Sequence, residues 1–87
     1  MMKELHWIVR KNINGKKRHD LVYIKDDKKL LTGFVIRKRK GLPWIAVFVN
    51  GPQNITIKLG MNQSCRLWVQ RFAEHHILNS LIAELAD

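Results

Sequence analysis

Acidic residues are missing from the middle of this chain. Neither Asp nor Glu occurs between Lys28 and Ala73, although the chain carries a formal net charge of +9. The cations of this segment are Lys28, Lys29, Arg37, Lys38, Arg39, Lys40, Lys58, Arg66 and Arg71. An ordinary solvated surface mixes both signs of charge, so such a segment indicates a polyanionic partner, nucleic acid first. The alternative interpretation is that excess lysine only keeps a small protein soluble.

Cysteine and long apolar runs are also scarce. Cys65 is the only cysteine, which excludes an internal disulfide, a zinc finger and a CxxC redox motif. A reducing, cytoplasmic setting is therefore the simplest expectation. No run of about 18 apolar residues occurs, and residues 1–4 lack the apolar region of a secretory signal, so we expect no membrane partner.

The residue combinations that catalysis requires are missing as well. The carboxylates lie in the first third and in the tail, so a paired acid and base would need the two ends of the chain to meet. His75 and His76 are adjacent and point about 100° apart on a helix, which is poor geometry for a shared metal. Neither a P-loop nor a dinucleotide fingerprint occurs. We therefore expect no enzyme, no metal and no cofactor.

Short strand-like segments joined by tight turns make up the first two thirds of the chain. Its 87 residues suffice for one modest core, so residues 1–87 are interpreted as a single domain. An N-terminal hairpin over 5–25, with Asn14-Gly15 at its turn, precedes a sheet core over 30–60 and a helix over 62–86. The sequence predicts an α+β fold in which an antiparallel β-meander, of three to five strands, packs against one C-terminal α-helix.

Alternation within residues 54–59 orients the predicted sheet. Ile55, Ile57 and Leu59 fall on one side of the pleat, and Thr56 and Lys58 fall on the other. The isoleucine side is the one we expect to be inward.

A helical pattern starts at Asn62 or Ser64, either of which can serve as N-cap. Its apolar face comprises Cys65, Trp68, Val69, Phe72 and His76. We expect this face to cover the isoleucine side of the sheet, which makes Cys65 a core thiol. Thr56 and Lys58 would then remain on a free sheet face.

The tail of the helix has a second apolar face. Leu78, Leu81, Ile82 and Leu85 lie roughly opposite the first stripe if the helix is straight. Either the helix breaks near Asn79-Ser80, or these side chains contact another surface. That surface is the N-terminal hairpin or, as a second possibility, another subunit in a homodimer.

The order of elements from Leu30 to Leu78 resembles a known domain architecture. A strand, Trp44-Ile45-Ala46-Val47-Phe48, is followed by a Gly-containing turn, an alternating strand ending at Leu59-Gly60, and a helix carrying Trp68 and Phe72. This order resembles the three-stranded-sheet-plus-helix DNA-binding domains of plant ethylene-responsive factors and the arm-binding domains of tyrosine integrases. The resemblance implies that the helix backs the sheet while Arg, Trp and Thr side chains of the exposed face enter the major groove. A five-stranded meander with a terminal helix also resembles the small archaeal chromatin proteins, which bind duplex DNA through a sheet surface.

The candidate nucleic-acid-binding residues follow from this resemblance and from the charge pattern. The resemblance implies a DNA-binding face of Arg37, Arg39, Trp44, Thr56 and Lys58, and the alternation within 54–59 also selects the last two. Lys38 and Lys40 extend this basic run, and Lys16, Lys17 and Arg18 near the tip of the hairpin would add phosphate contacts. The hairpin cations are equally well interpreted as a solvated turn, and a lone tryptophan in a strand is more often part of the core.

The leading hypothesis is a small basic protein of the cytoplasm that binds double-stranded DNA, as in transcription regulation. One alternative is a phage or mobile-element interaction protein that occludes a host protein or nucleoprotein complex and docks through Leu78–Leu85. A second alternative is an RNA-binding module, because Phe48 shares the phase of Trp44 and both could stack on bases.

Overall fold

A computed structural model of the chain describes residues 2–10, 15–50 and 54–86, without the side chains of 50, 54–55 and 81–86. It contains strands β1 (Leu5–Val9), β2 (Lys17–Lys25), β3 (Lys28–Arg37), β4 (Trp44–Asn50) and β5 (Asn54–Gly60), then helix α1 (Asn62–Ala86). All five strands are antiparallel and lie in one sheet in chain order. The predicted α+β fold is confirmed.

The β2–β3 connection is a tight turn formed by Asp26 and Asp27. Both residues have positive φ, 52° and 62°, which is the conformation of a type I′ hairpin turn and one that Asp tolerates. At the predicted Asn14-Gly15 turn, Gly15 also has positive φ, 78°, whereas residues 11–14 lie outside the described part of the chain, as do residues 51–53 of the β4–β5 connection.

Helix α1 covers one side of the sheet with a narrow stripe of small side chains. Cys65, Val69 and Ala73 recur every fourth position and are fully or almost fully buried. They pack on β3 and β4, and Gly33 of β3 leaves the space that Val69 occupies. The remaining core residues are Leu5, Leu21, Val35, Trp44, Ala46 and Phe48.

The predicted orientation of β5 is wrong. Trp44, Ala46 and Phe48 face the helix, and the register pairs them with Gly60, Lys58 and Thr56 in that order. Cross-strand partners share a face, so Thr56 and Lys58 lie on the helix side. Ile57 and Leu59 lie on the uncovered side and are 62% and 63% exposed. The side chain of Ile55 lies outside the described residues.

The orientation of β5 was predicted wrongly because strand β4, its neighbour, is apolar on both of its faces. The alternation of β5 therefore does not decide which side the helix covers. A helix approaches a sheet most closely where side chains are small, and Gly33 and Ala46 provide that surface on the Trp44 side.

Helix α1 is continuous, so of the two alternatives for its tail the break near Asn79-Ser80 does not occur. The Ser80 hydroxyl instead donates a hydrogen bond of 3.0 Å to the carbonyl oxygen of His76, one turn earlier. Leu78 is 51% exposed, whereas the side chains of Leu81, Ile82 and Leu85 lie outside the described residues. Within the described residues, α1 lacks the length of apolar sequence that crossing a membrane requires.

Replacing Gly33 by Ala is expected to destabilise the fold. A Cβ at this position would overlap the Val69 side chain and lie 2.7 Å from the carbonyl oxygen of Val47. We expect the free energy of unfolding to fall by about 1–3 kcal/mol in urea denaturation, because helix and sheet must move apart. Gly60→Ala is the matched control, since its nearest neighbour is the Cys65 sulfur at 3.8 Å. Equal losses in both variants would contradict the packing argument.

Candidate nucleic-acid interface

Cationic side chains surround one end of the sheet, the end at which α1 begins. Lys17 at the start of β2 pairs with Arg37 at the end of β3, and the exposed residues 38–40 follow directly. At the same end, the start of β4 pairs with the end of β5, after which α1 starts. We call this region the basic end; its cations are Lys16, Lys17, Arg37, Lys38, Arg39, Lys40, Lys58 and Arg66.

Trp44 lies at the centre of the basic end and is buried beneath α1. The His19 ring packs against it edge-on with centroids 5.5 Å apart, and the Arg37 guanidinium lies 5.3 Å from the Trp44 ring centroid. Such a cation–π contact holds the guanidinium in place. Trp44 therefore positions Arg37 and is not an exposed stacking residue, which corrects its predicted place on a DNA-binding face.

Arg66 reaches the basic end from the first turns of α1. Its guanidinium lies 5.0 Å from the ring centroid of Trp7 in β1. The surrounding groove, of about 510 Å³, is lined by Trp7, Asn62, Gln63, Arg66, Leu67 and Gln70. The first turn of the helix carries no acidic residue, so the positive end of its dipole adds to these charges.

Burial and the neighbouring cations both act on the pKa of His19. Burial lowers the pKa of His19 below its ordinary 6.5, and the positive charges of Arg66 and Lys17 lower it further. Its buried Nδ1 has no hydrogen-bond partner among the described residues. His19 is therefore neutral at neutral pH.

The Asp20 side chain lies on the side of the sheet away from α1, where two arginines bind it. Its carboxylate accepts hydrogen bonds from Nε of Arg10 at 2.8 Å and from Nε of Arg18 at 2.6 Å. Burial alone would raise the pKa of Asp20, but these bonds and the two positive charges outweigh it, so the pKa lies below 3.8. This one carboxylate thus offsets one of the two charges of Arg10 and Arg18, and it does not compensate the cations of the basic end.

The structure separates the predicted cationic run Lys16–Arg18. Lys16 directly precedes β2 and Lys17 and Arg18 begin it, and successive side chains of a strand alternate between faces. Lys17 shares the face of Arg37, whereas Arg18 lies on the opposite face, against Asp20 and 4.1 Å from the Phe34 ring centroid. Arg18 therefore does not extend the cluster around Lys17.

The other predicted site residues fall in two groups. Lys38, Arg39 and Lys40 are exposed together in the β3–β4 loop. Thr56 and Lys58 flank α1 on the helix side of the sheet, where Lys58 is close enough to act electrostatically on Cys65.

Sequence alone did not indicate Arg66 as a site residue, and it did not place His19, which follows the cations of the hairpin tip, beside Trp44. Arg66 could have been found from its position beside the apolar helix stripe in an acid-free first turn. His19 gives no such signal, because only the pairing of β2 with β3 brings it to Trp44.

Cys65 is a core thiol, as predicted. It is fully buried and its thiol donates a hydrogen bond to the carbonyl oxygen of Trp44, with sulfur and oxygen 3.6 Å apart. Burial raises the pKa of Cys65 above 9.0, against the opposing influence of Lys58. The thiolate that nucleophilic chemistry needs is therefore disfavoured.

No family model, no curated protein and no solved structure matches this chain. Its chemistry must therefore be inferred from its own residues.

Lowering the pH is expected to destabilise the fold through His19. Because its pKa is lower in the folded than in the unfolded chain, the unfolded state binds more protons below pH 6.5. The free energy of unfolding should therefore fall as the pH decreases from 6.5 through the native pKa. Urea denaturation at several pH values would show a weaker dependence in His19→Gln, whereas exposed His75→Gln should keep the dependence of the parent. An unchanged pH dependence in His19→Gln would contradict this assignment.

Proposed function

We propose that this protein binds double-stranded DNA by gripping phosphates with its basic end. The supporting observation is the set of cations gathered around the start of α1, where the described residues include no acidic neighbour to compensate them. Clustered like charges repel one another in the free protein, and a polyanion relieves that repulsion while releasing its own counterions.

The dimensions of the basic end suit a duplex. Lys17 on β2 and Lys58 on β5 are three strand spacings apart, about 14 Å. About eight phosphate charges occur over that length of DNA axis. The exposed loop residues 38–40 would contact phosphates first, and Arg37, already held by Trp44, would lose little side-chain freedom on binding.

This mode differs from the predicted contact through an exposed sheet face. The uncovered face is mainly apolar around Ile57 and Leu59, whereas Arg37 and Lys58 lie on the helix side. The proposed contact therefore runs along one end of the sheet and the start of α1. It positions the protein on the phosphate backbone, and sequence preference would need further contacts to base edges.

The RNA-binding alternative has less support. Stacking on bases would require exposed aromatic rings on the sheet, but Trp44 and Phe48 are both buried beneath α1. Phe34, on the uncovered face, is capped by the Arg18 guanidinium.

A salt titration with a fluorescent duplex tests the proposal. About five phosphate contacts would make log affinity fall with log salt at a slope of about −4.5. Single-stranded DNA and duplex RNA, titrated in parallel, should bind more weakly. Absence of duplex binding at low salt would refute the proposal.

A matched pair of triple variants locates the contact. Replacing Lys38, Arg39 and Lys40 by Ala should weaken duplex binding at least about tenfold and reduce the salt slope by about 3, because three phosphate contacts are lost. The control replaces Lys25, Lys28 and Lys29 by Ala, removing the same charge from the opposite end of the sheet, where these lysines are exposed. Equal losses in both variants would show that net charge, and not the basic end, determines binding.

A further inference from the structure

The side of the sheet opposite α1 is an apolar surface that the described residues leave uncovered. We call it the open face. Its centre is formed by cross-strand partners from β3, β4 and β5. These are Phe34, Ile36, Ile45, Val47, Ile57 and Leu59.

These side chains shield one another only in part. Val47, in the middle strand of the patch, is buried by its neighbours, while Phe34, Ile36 and Ile45 are half-buried. Ile57 and Leu59 extend the exposed apolar surface to the β5 edge of the sheet, whereas Ile8 on β1 is separated from it by Asp20 of β2 and its two arginines. A contiguous apolar surface of this kind marks an interaction site.

The charge distribution indicates which partner can approach this face. Its ionised groups near the centre are Arg10, Arg18 and the Asp20 carboxylate that both arginines bind, and Lys29 lies at the β2–β3 margin. One carboxylate leaves a single surplus positive charge there, whereas most of the cations lie at the basic end, on the helix side or in the β3–β4 loop. A second copy of this chain can therefore stack on the open face without burying either basic end in the interface.

The size of the open face suits such a dimer. Five strands span about 24 Å and seven residues of a strand about 23 Å, which gives a projected area of about 550 Å². Two such faces total about 1,100 Å² as flat areas, and protruding side chains would add to this. The total exceeds the roughly 1,000 Å² that a specific interface requires.

We propose that the open face is a homodimer interface in which two sheets pack face to face. The two copies would form a β-sandwich core with one α1 on each outer side, and each copy would use the same residues. This contact differs from the dimer predicted through Leu78, Leu81, Ile82 and Leu85, and it does not depend on DNA binding.

Sedimentation equilibrium tests the dimer. At tens of micromolar the protein should have twice the 10.2 kDa mass of one chain. Added salt should tighten the dimer, because it screens the repulsion between two chains of charge +9. DNA binding weakens with salt, so the two proposals respond oppositely to the same change. A monomer at every salt concentration would overturn the dimer proposal.

Charge substitutions locate the interface. Ile57→Lys and Leu59→Lys, both at exposed positions, should raise the dimer dissociation constant by about 100-fold or more, because each copy would bury an unpaired ammonium group. Leu78→Lys is the matched control on α1 and should leave the mass unchanged. Loss of the dimer in the Leu78 variant alone would overturn the proposal in favour of a helix-mediated dimer.

Isoleucine methyl spectra provide an independent measurement that needs no variant. On dilution, the methyl signals of Ile36, Ile45 and Ile57 should shift as the dimer dissociates, whereas those of Ile77, which packs against the core from α1, should not. Shifts confined to Ile77 would overturn the assignment of the open face.

Discussion

The contact between Val69 and Gly33 is the constraint on which the rest of this structure depends. Val69 occupies the space left by the missing side chain of Gly33, so α1 lies close to β3 and β4. This approach buries Trp44, Ala46 and Phe48 together with Cys65 and Ala73. Covering that side of the sheet leaves the other side, with Ile57 and Leu59, open. The position of one helix thus defines both the basic end and the open face.

Cations that pair with a carboxylate and cations that do not lie in different parts of this molecule. Asp20 binds two arginines on the open side of the sheet, so one of their two charges is compensated. The cations around Trp44 receive no such compensation within the described residues; burial lowers the pKa of His19, and the charges of Arg66 and Lys17 lower it further. The two surfaces would therefore respond oppositely to salt, which would weaken the proposed binding of polyanions at the basic end and strengthen the proposed apolar contact at the open face.

The two proposals would reinforce each other. In a face-to-face dimer with both sets of strands running the same way, two basic ends would lie side by side. Linking two weak phosphate-binding surfaces raises the affinity for a long duplex without any new contact, since the second contact becomes intramolecular.

The strands, the helix and the acid-free middle segment could be predicted from sequence, because periodicity and composition act locally. Sequence also indicated that Cys65 belongs to the core, since it shares the helix stripe with Val69. Sequence did not determine which face of β5 is covered, because β4 is apolar on both faces and either choice satisfies its alternation. The tertiary structure decided this through the close approach of α1 at Gly33. This approach brought Arg66 to Trp7 and left Ile57 and Leu59 exposed, while the pairing of β2 with β3 and of β3 with β4 brought His19 to Trp44.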